Sequence, residues 1–354
     1  MKIRLIAFTE AGLRQAHRLG ACLPQDAQVE ESRGFGPDKE SLAAWTSEGF
    51  SEADALVFVG AAGIAVRAIA PHASSKAVDP AVVVVDEAAR WVIPLLSGHL
   101  GGANRLARLL AEGVGAQAVL TTATDVRGVW AVDDWAAARG MAVLDPSRIK
   151  GVSSRLLAGG RVALACDLPL AGQVPEGVDA IELAMPPSVD AAESAQDGGE
   201  GTRFDIVLSP FSRSCAEGAL RVVPRRIVVG VGCRRGTDEG DLARAIDEAL
   251  SRAGVYPQAV REVRSIDLKQ DEAGLLSLAR RRGWSSRFFS ADELRAVEGV
   301  FASSAFVERT TGVDNVCERA AAACGETVLL PKTVFEGVTV AVALDGSPIN
   351  WNEE

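Results

Sequence analysis

Two short segments hold most of the chemistry this chain can offer. Ser97-Gly-His-Leu-Gly-Gly-Ala-Asn104 sets one of only three histidines among glycines and polar side chains, and Thr121-Thr-Ala-Thr-Asp125 adds three hydroxyls and a carboxylate. An imidazole titrates near neutral pH, so His99 is the foremost candidate for moving a proton. Glycines at 98, 101 and 102 let the backbone approach a ligand. A helix starting near Gly102 would aim its positive end at an anion or a developing oxyanion. Plainer readings stand beside these: a tight strand-to-helix turn with a hydrogen-bonded histidine, and N-capping by Thr124 or Asp125. The glycine pattern matches neither the phosphate-binding loop nor the dinucleotide fingerprint.

Other loops could assist. Ala70-Pro-His-Ala-Ser-Ser-Lys-Ala-Val-Asp-Pro80 offers Lys76 to a carboxylate and Asp79 to orient water or a histidine, or it is a turn built on its prolines. Gly230-Val-Gly-Cys-Arg-Arg-Gly236 looks like an anion-binding turn, with Arg234 and Arg235 suited to bidentate carboxylate contacts. In Ser265-Ile-Asp-Leu-Lys-Gln-Asp-Glu272, Lys269 is a further cation, while Asp271 and Glu272 read as a helix cap and first turn. Cys317 reads as a core residue.

These loops need elements to hold them. Lys2–Phe8, Asp54–Gly60 and Ala81–Asp86 are continuous apolar runs of the kind found in strands covered on both faces. Helical spacing marks Glu10–Cys22, Ala61–Ala70 up to Pro71, and Asn104–Gly113, with Leu106, Leu109 and Leu110 on one side. Gln117–Leu120 reads as a strand feeding Thr121, so the threonines lie at a strand's carboxyl end, the edge where open α/β sheets bind ligands. The alternation predicts an N-terminal doubly wound, mostly parallel α/β domain over 1–143. A smaller, irregular middle region follows over 144–223, with a helix at Pro146–Leu157, a strand at Arg161–Ala165 and a flexible acidic loop at 186–203. A C-terminal α/β domain over 224–354 carries strands at Ile227–Val231, Ala259–Ile266, Thr327–Leu330 and Val338–Leu344. Its helices are expected at Asp238–Ala253, Asp271–Arg281, Ala291–Val297 and Val316–Cys324.

Composition narrows the class. With 354 residues, 48% hydrophobic and 24% charged, the chain reads as an ordinary globular protein with ample core. A net charge of −10 and 5% aromatic residues disfavour a nucleic-acid partner. No run is long enough to span a membrane, and the N-terminal apolar run is too short for a signal peptide. The six cysteines form no C-x-x-C pair and read as reduced thiols of a cytoplasmic protein.

Taken together, several blocks resemble the cobalt-precorrin-5A hydrolase family of anaerobic cobalamin synthesis. They are Gly63-Ile-Ala-Val-Arg67, Ala70-Pro-His72, Lys76, Asp79-Pro80, Ser97 to Asn104 and Thr121 to Asp125. Val231 to Thr237, Ser265 to Lys269, Asp271-Glu272, Phe288-Phe-Ser290, Glu293-Leu294 and Val316-Cys-Glu318 are similar to the same family's C-terminal domain. The resemblance implies a hydrolase that opens the ring A δ-lactone of a cobalt-bearing tetrapyrrole, cobalt-precorrin-5A, and releases acetaldehyde to give cobalt-precorrin-5B. It implies no protein-bound metal or organic cofactor, because the cobalt belongs to the substrate. The partners it implies are that small molecule and, by assembly, a second copy or other corrin-pathway enzymes. Lactone opening requires a base, an oxyanion stabiliser and an acid. On those grounds His99 is expected to be the proton carrier, oriented by Asp125 or Asp79. The Gly101–Asn104 backbone with Thr121 and Thr122 is expected to hold the oxyanion. Arg67, Lys76, Arg234, Arg235 and Lys269 are expected to grip the carboxylate arms, with Ser97, Gly98, Gly101, Gly102, Asn104, Thr124 and Glu272 lining the substrate. The competing readings are a non-catalytic corrinoid carrier and a nucleotide-using enzyme.

Overall fold

Strand β1 (Lys2–Ala7) shows how the first sheet is built. Ile3, Leu5 and Ala7 enter one hydrophobic cluster and Ile6 the other, as the two-residue period of a strand requires. In this computed structural model, which describes residues 1–75, 78–99, 101–183, 204–212 and 218–352, two compact units emerge. The first comprises 1–139 with 149–160, and the second 140–148 with 161–354. The expected middle region is thereby divided between the two. The expected loop at 186–203 lies outside the described residues.

The first unit carries a six-stranded sheet in the order β2-β1-β3-β4-β5-β6. Its strands are β1, β2 (Gln28–Arg33), β3 (Ala55–Val59), β4 (Ala81–Val85), β5 (Trp91–Leu96) and β6 (Gln117–Ala118). The first four are parallel, but β5 pairs antiparallel to β4, and β6 runs with β5. Its helices are α1 (Glu10–Ala21), α2 (Leu42–Glu52), α3 (Ala62–Ile69), α4 (Ala103–Val114), α5 (Ala123–Arg127), α6 (Val132–Ala138) and α7 (Pro146–Leu157). Helices α1 and α4 pack Leu13, Ala16, Leu19, Leu106, Ala107 and Leu110 on one face of the sheet. Leu109, expected on the buried side of α4, is 36% exposed, and Ala107 and Ala111 take up that stripe instead. On the other face Trp45 of α2 and Ala65 and Ile69 of α3 pack with Leu56 and Phe58 of β3. Strand β2 and helix α2 were not expected from the sequence; β2 carries two acids among its six residues and is mostly exposed, so it lacks an apolar run.

The second unit holds two five-stranded sheets. One has the order β10-β8-β11-β12-β7 and is built from β7 (Ala142–Val143), β8 (Val162–Cys166), β10 (Val178–Glu182), β11 (Ile206–Leu208) and β12 (Leu220–Val223). Four of these strands are parallel, so this segment is more regular than its composition implied. The short pair β9 (Leu170–Ala171) and β18 (Ile349–Asn350) stands apart from both sheets. The other sheet has the order β15-β14-β13-β17-β16. It contains β13 (Ile227–Cys233), β14 (Val260–Ile266), β15 (Ser285–Phe289), β16 (Thr327–Phe335) and β17 (Val338–Leu344). Helices α8 (Glu239–Ala253), α9 (Ala273–Arg282), α10 (Ala291–Ala296), α11 (Ala305–Thr311) and α12 (Cys317–Ala321) accompany it. Gly230 of β13 has no room for a side chain: a Cβ there would lie 1.9 Å from the Cys317 carbonyl oxygen. Cys317 is therefore a packing residue, with burial pushing its thiol up to about 11.

Candidate functional site

The reversal of β5 decides where the polar loops meet. The carboxyl ends of β5 and β6 lie at the amino edge of the four parallel strands, beside the loop that enters β4. The threonine segment does follow a strand's carboxyl end, as expected, but at the edge opposite the carboxyl ends of β1, β3 and β4. Two independently read loops are joined there by one bond: the Ser97 hydroxyl donates to the Asp79 carbonyl at 2.9 Å.

The glycine-rich turn is closed on itself. Ser97 adopts a left-handed backbone (φ +57°), as does Gly102 (φ +81°). The N–H groups of Ala103 and Asn104 donate to the carbonyls of Ser97 and Gly98 at 3.1 and 2.9 Å, and that of Gly102 donates to His99 at 2.8 Å. These bonds satisfy the donors that the start of α4 would otherwise leave open. They also remove the Gly102 and Asn104 amides from the expected oxyanion role. At Gly101 an added Cβ would lie 2.3 Å from that of Ser97, so the turn tolerates only glycine there.

His99 faces Thr124 and Asp133. Its Nε2 lies 3.3 Å from the Thr124 hydroxyl, and its Nδ1 lies 3.7 Å from an Asp133 carboxylate oxygen. Nδ1 is buried and makes no hydrogen bond among the described residues. Neither expected orienting carboxylate reaches the ring. Asp125 is held by Asn104 Nδ2 at 2.8 Å, by the Thr122 hydroxyl and by Arg108. Asp79 accepts from the Ser74 amide and hydroxyl and the Ser75 amide, each at 2.9 Å, and so pins its own loop. Burial opposes ionisation of Asp79, but those hydrogen bonds outweigh it and hold its carboxyl below the usual range. Thr122 has spent its proton on Asp125, and Thr121 is exposed. Asn104, by contrast, is almost fully buried at 1% exposure and positions the Asp125 arm of the cluster.

Sequence reasoning missed Asp133, Asp134 and Arg108. Arg108 stands one turn beyond Asn104 on α4, binds Asp125 and lies 3.6 Å from Asp134. Burial raises the Asp134 carboxyl above its ordinary value; Asp125 and Asp133 add to this, while His99 and Arg108 oppose it. Val132-Asp-Asp-Trp135 reads in sequence as acids in a helix's first turn. Only the packing, which leaves Asp133 at 5% exposure, sets it apart.

The other expected ligands fall elsewhere. Arg67 lies in the last turn of α3, exposed and bonded to the Gly63 carbonyl of its own helix. Lys76 lies outside the described residues. In the second unit the loops after β13 and β14 converge. Glu272, 6% exposed, accepts from the Gly236 amide at 2.7 Å and pairs with Lys269 at 3.3 Å. Lys269 is thus neutralised internally, and Glu272 acts as a clip between loops. Glu272 also occupies the cap position of α9 that Asp271 was expected to hold; Asp271 instead pairs with Arg235 at 3.6 Å on the surface.

An α/β protein whose polar chemistry gathers on a reversed strand is the class these features define. The family described as Cobalamin synthesis G N-terminal matches residues 44–125, Cobalamin biosynthesis central region matches 130–210, and Cobalamin synthesis G C-terminus matches 227–343. The chain is 36% identical over 352 residues to the cobalt-precorrin-5A hydrolase of Salmonella typhimurium, covering 97% of each chain. It is 28% identical over 360 residues to that of Priestia megaterium, covering 96% of this chain and 94% of that one. A crystal structure of a cobalamin biosynthesis protein G homologue from Sulfolobus solfataricus aligns over 97% of both chains at 20% identity, with a TM-score of 0.40. The chain belongs to the cobalt-precorrin-5A hydrolase family. The expectation of a hydrolytic enzyme of cobalamin synthesis is met.

Proposed function

We propose that this chain hydrolyses cobalt-precorrin-5A, opening its ring A δ-lactone and releasing acetaldehyde to leave cobalt-precorrin-5B. The observation that carries this reading is the near full-length likeness to a relative named for that reaction. The His99 cluster supports it chemically. Ester opening requires a group that takes a proton from the incoming nucleophile and returns one to the departing ring oxygen. His99, between a hydroxyl and a carboxylate, is built for both transfers. The departing oxygen becomes a hydroxyl on the carbon that leaves as acetaldehyde, so ring opening sets up the later carbon–carbon cleavage. Arg67, exposed on α3 of the first unit, is the cation we assign to the substrate's carboxylate arms. Salt screens its attraction beyond about 10 Å, so it acts at short range. The steps need no resident metal or organic cofactor, since the cobalt arrives with the substrate; chelator-treated protein is expected to keep its activity. The enzyme works in the cytoplasm on this reading. No helix among the described residues is long and apolar enough to cross a membrane.

The test is His99→Gln assayed anaerobically with cobalt-precorrin-5A, following substrate mass and acetaldehyde together. Removing a general acid–base group is expected to slow lactone opening by ~10²–10⁴-fold. Turnover at the wild-type rate in a folded His99→Gln protein would remove the imidazole from the chemistry. A wild-type protein that binds the tetrapyrrole and releases nothing would make it a carrier.

A further inference from the structure

The geometry points to Thr124 as a nucleophile in a Thr124–His99–Asp133 triad, so that the lactone opens through an ester to the protein. The inference rests on the lactone-opening reading above and goes beyond it by naming the attacking atom.

The two polar segments carry four hydroxyls, and three are set aside by their own surroundings. Ser97 donates to the Asp79 carbonyl, Thr122 donates to Asp125, and Thr121 is exposed. Among the described residues only the Thr124 hydroxyl meets the imidazole, at 3.3 Å from Nε2. On the far side of the ring, Nδ1 is buried without a hydrogen bond among the described residues, and the Asp133 carboxylate stands 3.7 Å away. With the proton on Nδ1, the Nε2 lone pair accepts from Thr124. Asp133 then fixes that tautomer and stabilises the imidazolium formed in turn, as the third member of an acyl-transfer triad does. Distances beyond ideal hydrogen bonding are usual before substrate binds and tighten in the complex. Asp125 cannot take this part, because Asn104, Thr122 and Arg108 already occupy it.

The step balances without a co-reactant other than water. Thr124 Oγ adds to the lactone carbonyl carbon while its proton passes to His99 Nε2. The tetrahedral adduct expels the ring oxygen, which takes that proton and becomes a hydroxyl. The lactone's acyl group is now an ester of Thr124. Water then adds to the ester carbonyl, giving a proton to His99, and Thr124 Oγ departs with it. One lactone and one water have become one hydroxy acid. Asp133 touches neither substrate nor water and is a positioning residue.

The experiment uses the full chain with cobalt-precorrin-5A and added hydroxylamine. An ester intermediate partitions between water and hydroxylamine. Hydroxamate beyond that formed by Thr124→Val protein or without enzyme is therefore expected to appear at the expense of the carboxylic acid, while acetaldehyde, read as its oxime, stays constant. Thr124→Val is expected to lose more than ~10²-fold in turnover, and Thr124→Ser, which keeps the hydroxyl, to stay within ~10-fold of wild type. Asp133→Asn is expected to lower kcat by more than ~10-fold with KM little changed, because the ring loses the carboxylate that fixes its tautomer and stabilises the imidazolium only during reaction. The charged groups facing that ring are Asp133 and Asp134 of α6, with Arg108 of α4 behind Asp134. Free acid as the sole product in hydroxylamine, or Thr124→Val turning over within ~10²-fold of wild type, overturns the covalent step and leaves water as the nucleophile. Absence of acetaldehyde from the wild-type reaction defeats the hydrolase reading instead.

Discussion

Gly101 and His99 illustrate two kinds of constraint at the scale of single residues. Gly101 is fixed by space: a methyl group there would meet the Ser97 side chain at 2.3 Å and the Ser97 carbonyl at 2.9 Å. Gly101→Ala is expected to destabilise the first unit by about 1–3 kcal/mol, the usual penalty for overpacking a tight site. Urea unfolding would measure it, and an unchanged midpoint would show that the turn relaxes freely. His99 is fixed by its partners, and only one of them was legible. The polar cluster at 121–125 stands out in the sequence, and Thr124 belongs to it. Asp133 sits outside any motif, and its relevance comes from burial beside the ring. Asp79 and Asp125 were misread for the same reason: a carboxylate near a histidine in sequence says nothing about which hydrogen-bond donors claim it first.

Among the elements, strand positions were readable because buried runs such as Ala81–Val85 have no other solution. Strand direction was the harder property, yet chain length between β4 and β5 contains it. Parallel neighbours need a crossover of about a dozen residues or more. Asp86–Arg90 is too short for one, so β5 must turn back. The turn is held by Asp86, whose carboxylate accepts from the Arg90 and Trp91 amides at 2.7 and 2.6 Å, while Ala89 takes a left-handed conformation (φ +49°). Since this hairpin carries the His99 turn at its far end, Asp86→Ala is expected to weaken the site from a distance. Loss of two charge-assisted bonds at a partly exposed carboxylate should lower stability by about 1–2 kcal/mol. Hydrogen exchange of the Trp91–Leu96 amides should quicken accordingly. Protection equal to wild type would mean that the pairing with β4 holds the strand without its turn.

For the whole molecule, acid should act unequally on the two units. In the second unit Asp345 bridges Arg226 and Arg261 at 3.0 and 2.5 Å. Burial opposes its ionisation, but Ser347 and the two arginines prevail and pull its carboxyl down to about 2. Glu326, against the buried Arg264, and Asp145, against Arg221, are lowered as well. A carboxylate with a depressed folded pKa contributes stability above its unfolded value near 4, and that contribution fades as pH falls through the folded value. For Asp345 the amount at neutral pH is about 2 kcal/mol. In the first unit the lowered Asp79 is offset by Asp134, which burial raises and which acid relieves. Between pH ~5 and ~2.5 the second unit should therefore lose protection before the first. Hydrogen exchange corrected for its intrinsic pH dependence, read on peptides of 1–139 and 161–352, makes the comparison. Asp345→Asn should lower protection of the second unit at pH 7 and shrink the difference between pH 7 and pH 3. If the first unit opens earlier in acid, the ion pairs around Asp345 are not what sets the acid limit of this fold.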